Sequence, residues 1–362
     1  MLIADQKEYI ASITGLILNV VSYLAIILLV TWEQNYLLAL GIGTVTEVVL
    51  NIWISWYVEQ KYPFLRQRRK EKSTSSLTKR IVRDLKSLFI SRISEKMLYC
   101  TDNLIISGFI GVGTVGRYAN YCMITQAISN ILTILANTIQ PTVGDYFTEK
   151  NRQRNYEILR QLTFGFFCIA SVVSVGLFSL ITPFVRDIWL GPSYELGWGI
   201  TVFCIVVLLV RIMGLPLSLV MGVTGLFEKE KNVGASSALL NLIVSLALVK
   251  PYGMAGVLLG TLLSYLLQIL YRYIIYFRDF LEMPGEALRY AQDIGEYLAV
   301  IAGEVLLMQK IVPLIYGAGG MLLFCVCFLL CIAIPLLLDL VIFGRGWRLQ
   351  SIVTMVKGMR KA

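Results

Sequence analysis

Apolar positions in this chain neither alternate nor keep to one side of a helical wheel; they run in long blocks separated by short polar connections. Ten blocks are long enough to cross about 30 Å of hydrocarbon as helices of roughly 20 residues. They cover about residues 10–31, 36–58, 87–111, 115–140, 159–185, 197–223, 232–250, 253–277, 293–316 and 319–343. A helix satisfies its own backbone groups in lipid, so the pattern predicts an all-α membrane protein with about ten transmembrane helices. The first block follows Asp5, Lys7 and Glu8 instead of a basic stretch with a small-residue cleavage site. It reads as a retained span and not as a signal peptide.

Composition removes the soluble alternatives. Of the 362 residues 57% are hydrophobic and 15% charged, against about 45–50% and about 25% for soluble domains. Histidine is absent, which takes away the commonest general base and metal ligand. The seven cysteines, Cys100, Cys122, Cys168, Cys204, Cys325, Cys327 and Cys331, all sit in apolar stretches and read as small buried side chains. No phosphate-binding glycine loop, metal-spaced cysteine set or histidine triad occurs. The reading is therefore of a protein that is not an enzyme and takes neither cofactor nor metal.

Charge sets the orientation. The connections after odd-numbered blocks and the block ends beside them hold only Arg117, Arg186, Lys250 and Lys310, while most of the 32 basic residues precede the first block, follow even-numbered ones or lie in the tail. Positive loops stay inside, so both termini are expected in the cytoplasm, the chain being multi-pass in the cell membrane. Residues 59–86 carry ten basic residues around a Ser-Thr-Ser-Ser centre. This segment reads as a linker between two membrane lobes that faces anionic lipid headgroups, with no nucleic acid as partner. The tail, 344–362, is also basic.

Polar residues inside the blocks are candidates for function, because charge at bilayer depth is costly. On the third block Arg92, Lys96, Tyr99, Asn103 and Ser107 share one stripe, with Glu95 and Asp102 at its edge; all seven fall within an arc of about 140°. Arg92 is near enough to the helix end to snorkel, whereas Asp102 lies near mid-membrane. On the sixth block Arg211 precedes Gly214, Pro216 and Gly222. Proline removes a backbone hydrogen bond, so a kinked or broken helix with a hinge at Gly214 and Pro216 is expected. Glu47 and Glu304 sit near the middles of the second and ninth blocks. Either can be an ion site or pair with a polar group on a neighbouring helix, and for Glu304 pairing is preferred. Gly256 and Gly260 have the spacing of close helix approach.

The run KMLYCTDNLIISGFIGVGTVGRYANYCMITQAISNILTILANTIQPTVGDYFTEKN, beginning at Lys96, resembles the seventh and eighth helices of bacterial polysaccharide flippases. That family belongs with multidrug and toxin extrusion transporters and peptidoglycan-precursor flippases. The matching pieces are Thr101, Asp102 and Asn103, the glycine-rich turn before Arg117 and Tyr118, and the Gln140–Pro141 exit; ADQKEYI at 4–10 and KYPFL at 61–65 also resemble the family. The resemblance implies a polytopic flippase-like bundle, N-terminally truncated, with the family's first four helices missing. Residues 1–58 would be the remnant of the first lobe, 87–277 a complete second six-helix lobe, and 293–343 an additional helix pair.

It further implies translocation of undecaprenyl-pyrophosphate-linked oligosaccharide by alternating access, with a separately supplied N-terminal half or other polysaccharide assembly proteins as partners. Arg92, Lys96 and Arg211 would supply cations to the diphosphate. Tyr99, Asn103 and Asn120 would face sugar hydroxyls, and Glu95, Asp102 or Glu47 would bind a coupling ion. The rival readings are a multidrug exporter of the same fold, which calls for an acidic or aromatic cavity, and a membrane enzyme of polysaccharide assembly, which calls for a histidine or a large external loop.

Overall fold

The computed structural model describes residues 8–33, 36–62, 82, 89, 100–147, 151–317 and 319–344. Among them the chain is almost wholly helical and forms no strand. The helices are α1 (Glu8–Glu33), α2 (Tyr36–Lys61), α3 (residues 100–109), α4 (Val112–Phe147), α5 (Arg152–Pro183), α6 (Trp198–Val223), α7 (Phe227–Tyr252), α8 (Met254–Ile274), α9 (Pro284–Tyr316) and α10 (Met321–Phe343). Nine of the described helices are long and apolar enough to cross a membrane. The third expected span is described only from residue 100 onward, and most of the basic linker and the basic tail fall outside the described residues.

Two units divide the chain, residues 1–78 and 79–362. In the first, α1 and α2 form a hairpin in which Gly15 leaves room for Leu50, so that a Cβ at position 15 would touch the Leu50 side chain at 3.5 Å. Ser22 and Ala39 are buried, while Leu16, Ile17, Val20, Leu24 and Ile52 point outward. That is the inverse of a soluble hairpin and is the surface a lipid environment favours.

In the second unit α6 lies between α5 and α8 and also carries α4; α7 packs on the other side of α8, and α9 and α10 pack on α5. Large aromatic and aliphatic side chains fill the centre, among them Tyr121, Phe164, Phe167, Ile205, Leu217 and Tyr297. Two helices end in π-helical turns, Phe184–Trp189 after α5 and Ile275–Leu281 after α8.

Two prolines lie inside continuous helices. Pro141 was expected at the exit of a span, yet α4 continues through it to Phe147, where Val143 is buried in the core. Likewise α6 is not broken at Pro216 but runs to Val223. Both Gly214 and Pro216 are buried, and a Cβ at 214 would come within 2.9 Å of Ile269 on α8. Packing from both neighbours holds the helix together despite the lost hydrogen bond.

A parallel seam joins α5 and α9 level by level. Arg160 makes a fork with Asp293, Nε–Oδ2 at 2.6 Å and Nη2–Oδ1 at 3.0 Å. Thr163 and Tyr290 share a hydroxyl hydrogen bond of 3.1 Å. Phe167 stacks on Tyr297 with centroids 4.5 Å apart. Ser171 donates to Glu304 at 2.6 Å, and Tyr316 donates to Asp187, just beyond α5, at 3.1 Å. The expected pairing of Glu304 is thus met by a hydroxyl.

Candidate functional site

A buried polar site is built where α3 meets α7 and α8. The α7–α8 connection turns at Gly253 with φ +57° and ψ −134°, a backbone state open to glycine and strained for other residues. Beyond the turn α8 presents Gly256, Gly260, Thr261 and Ser264 to its neighbours, all buried, and α7 answers with Ser237, Asn241 and Ser245, each fully buried. The glycines let the backbones approach. A Cβ at Gly256 would collide with the Leu248 carbonyl, and one at Gly260 would collide with Ser245 Oγ and lie 3.1 Å from the Asn241 carbonyl. The glycine spacing on the eighth block therefore does mark a close helix contact.

Into this contact α3 inserts Asp102, 5% exposed. Its Oδ2 accepts from Thr261 Oγ1 at 2.7 Å, and Oδ1 accepts a long 3.4 Å bond from Asn241 Nδ2. Asn241 Nδ2 also donates to Thr261 Oγ1 at 2.9 Å. The other end of that amide, Asn241 Oδ1, is buried with no hydrogen-bond partner. Nearby, Ser245 Oγ donates to the Val257 carbonyl at 3.2 Å. Carboxylate, amide, hydroxyl and carbonyl oxygens thus converge from three helices around one acid. An all-oxygen set of this kind suits a small hard cation, and the spare amide oxygen of Asn241 is the atom an ion would use.

The sequence-derived residues are dispersed around this site. Arg92, Glu95, Lys96 and Tyr99 lie outside the described residues. Asn103 follows Asp102 but is exposed, and Ser107 is half-buried. Asp102, at the edge of the expected stripe, and Asn103, within it, differ in burial because consecutive residues point about 100° apart on a helix. Asn120 is half-buried and donates to the Gly116 carbonyl of its own helix at 3.0 Å. Arg211 is half-buried on α6. Glu47 is exposed on the α1–α2 hairpin.

Asn241, Thr261 and Ser245 were not picked out from the sequence. Their signal was available as a four-residue repeat of small and polar side chains, Ser237, Asn241 and Ser245, facing Gly256, Gly260 and Ser264 in the next block. Arg160, Asp293, Ser171 and Asp339 were missed as well, because the first three belong to a seam between helices far apart in sequence.

Fold and site define a multi-pass, all-α membrane protein with a buried carboxylate cluster in its larger unit. Residues 6–147 match the model of a family described as polysaccharide biosynthesis protein. The matched stretch carries Glu47, Asp102, Asn103 and Asn120; Asn241, Thr261 and Arg211 come after it. No curated protein matches the chain.

Proposed function

We propose that the protein moves an undecaprenyl-pyrophosphate-linked oligosaccharide across the cell membrane for surface polysaccharide assembly, driven by a cation taken at Asp102. The observation that carries the glycan reading is the family match over residues 6–147. The coupling reading is supported by the oxygen cluster of Asp102, Asn241 and Thr261. An acid shared by three helices is a natural switch: an ion drawing in Asn241 Oδ1 tightens α3 against α7 and α8, and its release loosens them.

In this scheme Arg92, Lys96 and Arg211 attract the diphosphate, Tyr99, Asn103 and Asn120 meet the sugar, and Glu95 and Glu47 are the other acids open to an ion. Both termini are cytoplasmic, and the basic linker lies against anionic headgroups. The work is translocation by alternating access, without bond making or breaking by the protein.

The test uses the cells in which this protein is made. Asp102→Asn should abolish export and accumulate lipid-linked precursor while membrane abundance stays near normal, whereas Lys310→Gln should be mild. Wild-type surface glycan with Asp102→Asn overturns the coupling role. Unchanged glycan and precursor in cells lacking the protein overturn the glycan role.

A further inference from the structure

A second oxygen cluster lies between α5, α9 and α10, away from Asp102. Glu304, 3% exposed, accepts from Ser171 Oγ through Oε2, but its Oε1 is buried without a hydrogen-bond partner. Asp339 on α10, 4% exposed, stands beside Glu304 and within reach of the Ser171 hydroxyl, but neither of its carboxylate oxygens makes a hydrogen bond of ordinary geometry. The Cys168 thiol of α5 also lies beside the two acids. Toward the start of α5 and α9, Phe164, Phe167, Tyr297 and Phe343 pack edge and face into an aromatic plug. Beyond the plug, the Arg160 guanidinium is engaged by Asp293.

Three carboxylate oxygens enclosed in a membrane-spanning bundle with one hydroxyl donor among them are an incomplete arrangement, because buried charge and buried polar atoms need a partner. Chemistry narrows the partner. Calcium takes six to eight oxygens and magnesium keeps several waters, more than a sealed site of three side chains offers. An alkali ion with a single proton on the pair neutralises both acids and uses the idle oxygens. We propose that Glu304, Asp339 and Ser171 form a site for a monovalent cation of the sodium class, bound together with one proton, at the junction of α5 with the α9–α10 pair. The site shares no residue with the Asp102 cluster and does not depend on the glycan reading.

The experiment uses the whole chain in lipid nanodiscs carrying Asp102→Asn, so that sodium at the first cluster does not contribute. Equilibrium binding of radioactive sodium should persist in this protein. Adding Glu304→Gln or Asp339→Asn should weaken it by at least about tenfold, and Ser171→Ala by less. A second readout needs no further mutation: sodium replacing choline should shift the infrared carboxylate bands of the Asp102→Asn protein. Absence of both sodium binding and the band shift overturns the proposal, as does undiminished binding when Glu304→Gln and Asp339→Asn are combined. Loss of glycan export by Asp102→Asn bears on the first cluster alone.

Discussion

The α7–α8 contact and the α5–α9 seam solve one problem in opposite ways. Lipid gives helices no hydrophobic reason to associate, so contact must come from close packing or from polar and aromatic pairs. Where α7 meets α8, size is removed: Gly256 and Gly260 let backbone touch backbone, and serines such as Ser264 turn their hydroxyls back onto their own helix. Where α5 meets α9, bulk and charge are added, with the Arg160–Asp293 fork at one level and the Phe167–Tyr297 stack at another. The first contact joins neighbours across one tight turn. The second joins residues 127 to 133 positions apart, at nearly constant offset from end to end, which is what two parallel helices in fixed vertical register produce. Small residues permit approach without dictating register; forks and stacks dictate it.

The largest effect should come from breaking the fork. Asp293→Asn leaves the Arg160 charge half-buried without its carboxylate and is expected to cost about 3 kcal/mol, read as loss of thermal stability in detergent. Removing both partners, Arg160→Met with Asp293→Leu, should restore most of that loss, because the pair's net value is small once desolvation is counted. If the double variant is worse than Asp293→Asn, the fork does more than neutralise.

On the other contact Gly256→Val should push α8 away from the Leu248 carbonyl and cost about 2 kcal/mol. Cysteine cross-linking across α7 and α8 should fall in the same variant while cross-linking across α5 and α9 stays unchanged. Equal loss at both sites would mean that the contacts are not independent. The smallest effect belongs to Tyr290→Phe, which removes one hydroxyl link of the seam and is expected to cost about 0.6 kcal/mol, the average for hydrogen bonds between membrane helices. A cost several times larger would show that Thr163 and Tyr290 set the register.

Block length and hydropathy determined most of the architecture. Each described block became a helix at nearly its expected place, because a stretch of about 20 apolar residues in lipid has no other way to satisfy its backbone. The Gly256–Gly260 spacing also carried its meaning on its face. Helix ends were less legible: α9 begins at Pro284, well before its apolar block, since polar residues continue a helix outside the hydrocarbon as readily as apolar ones.

What only the tertiary structure decided was which polar residues meet. Asp102 and Asn103 are adjacent in sequence, yet one is buried against α7 and α8 and the other exposed, because the helix turns them apart. Asp102 finds Thr261 159 positions away, and Glu304 finds Ser171 133 positions away. Periodicity reports the face of a single helix; the partner of that face is set by how the whole bundle packs, and no local pattern encodes that.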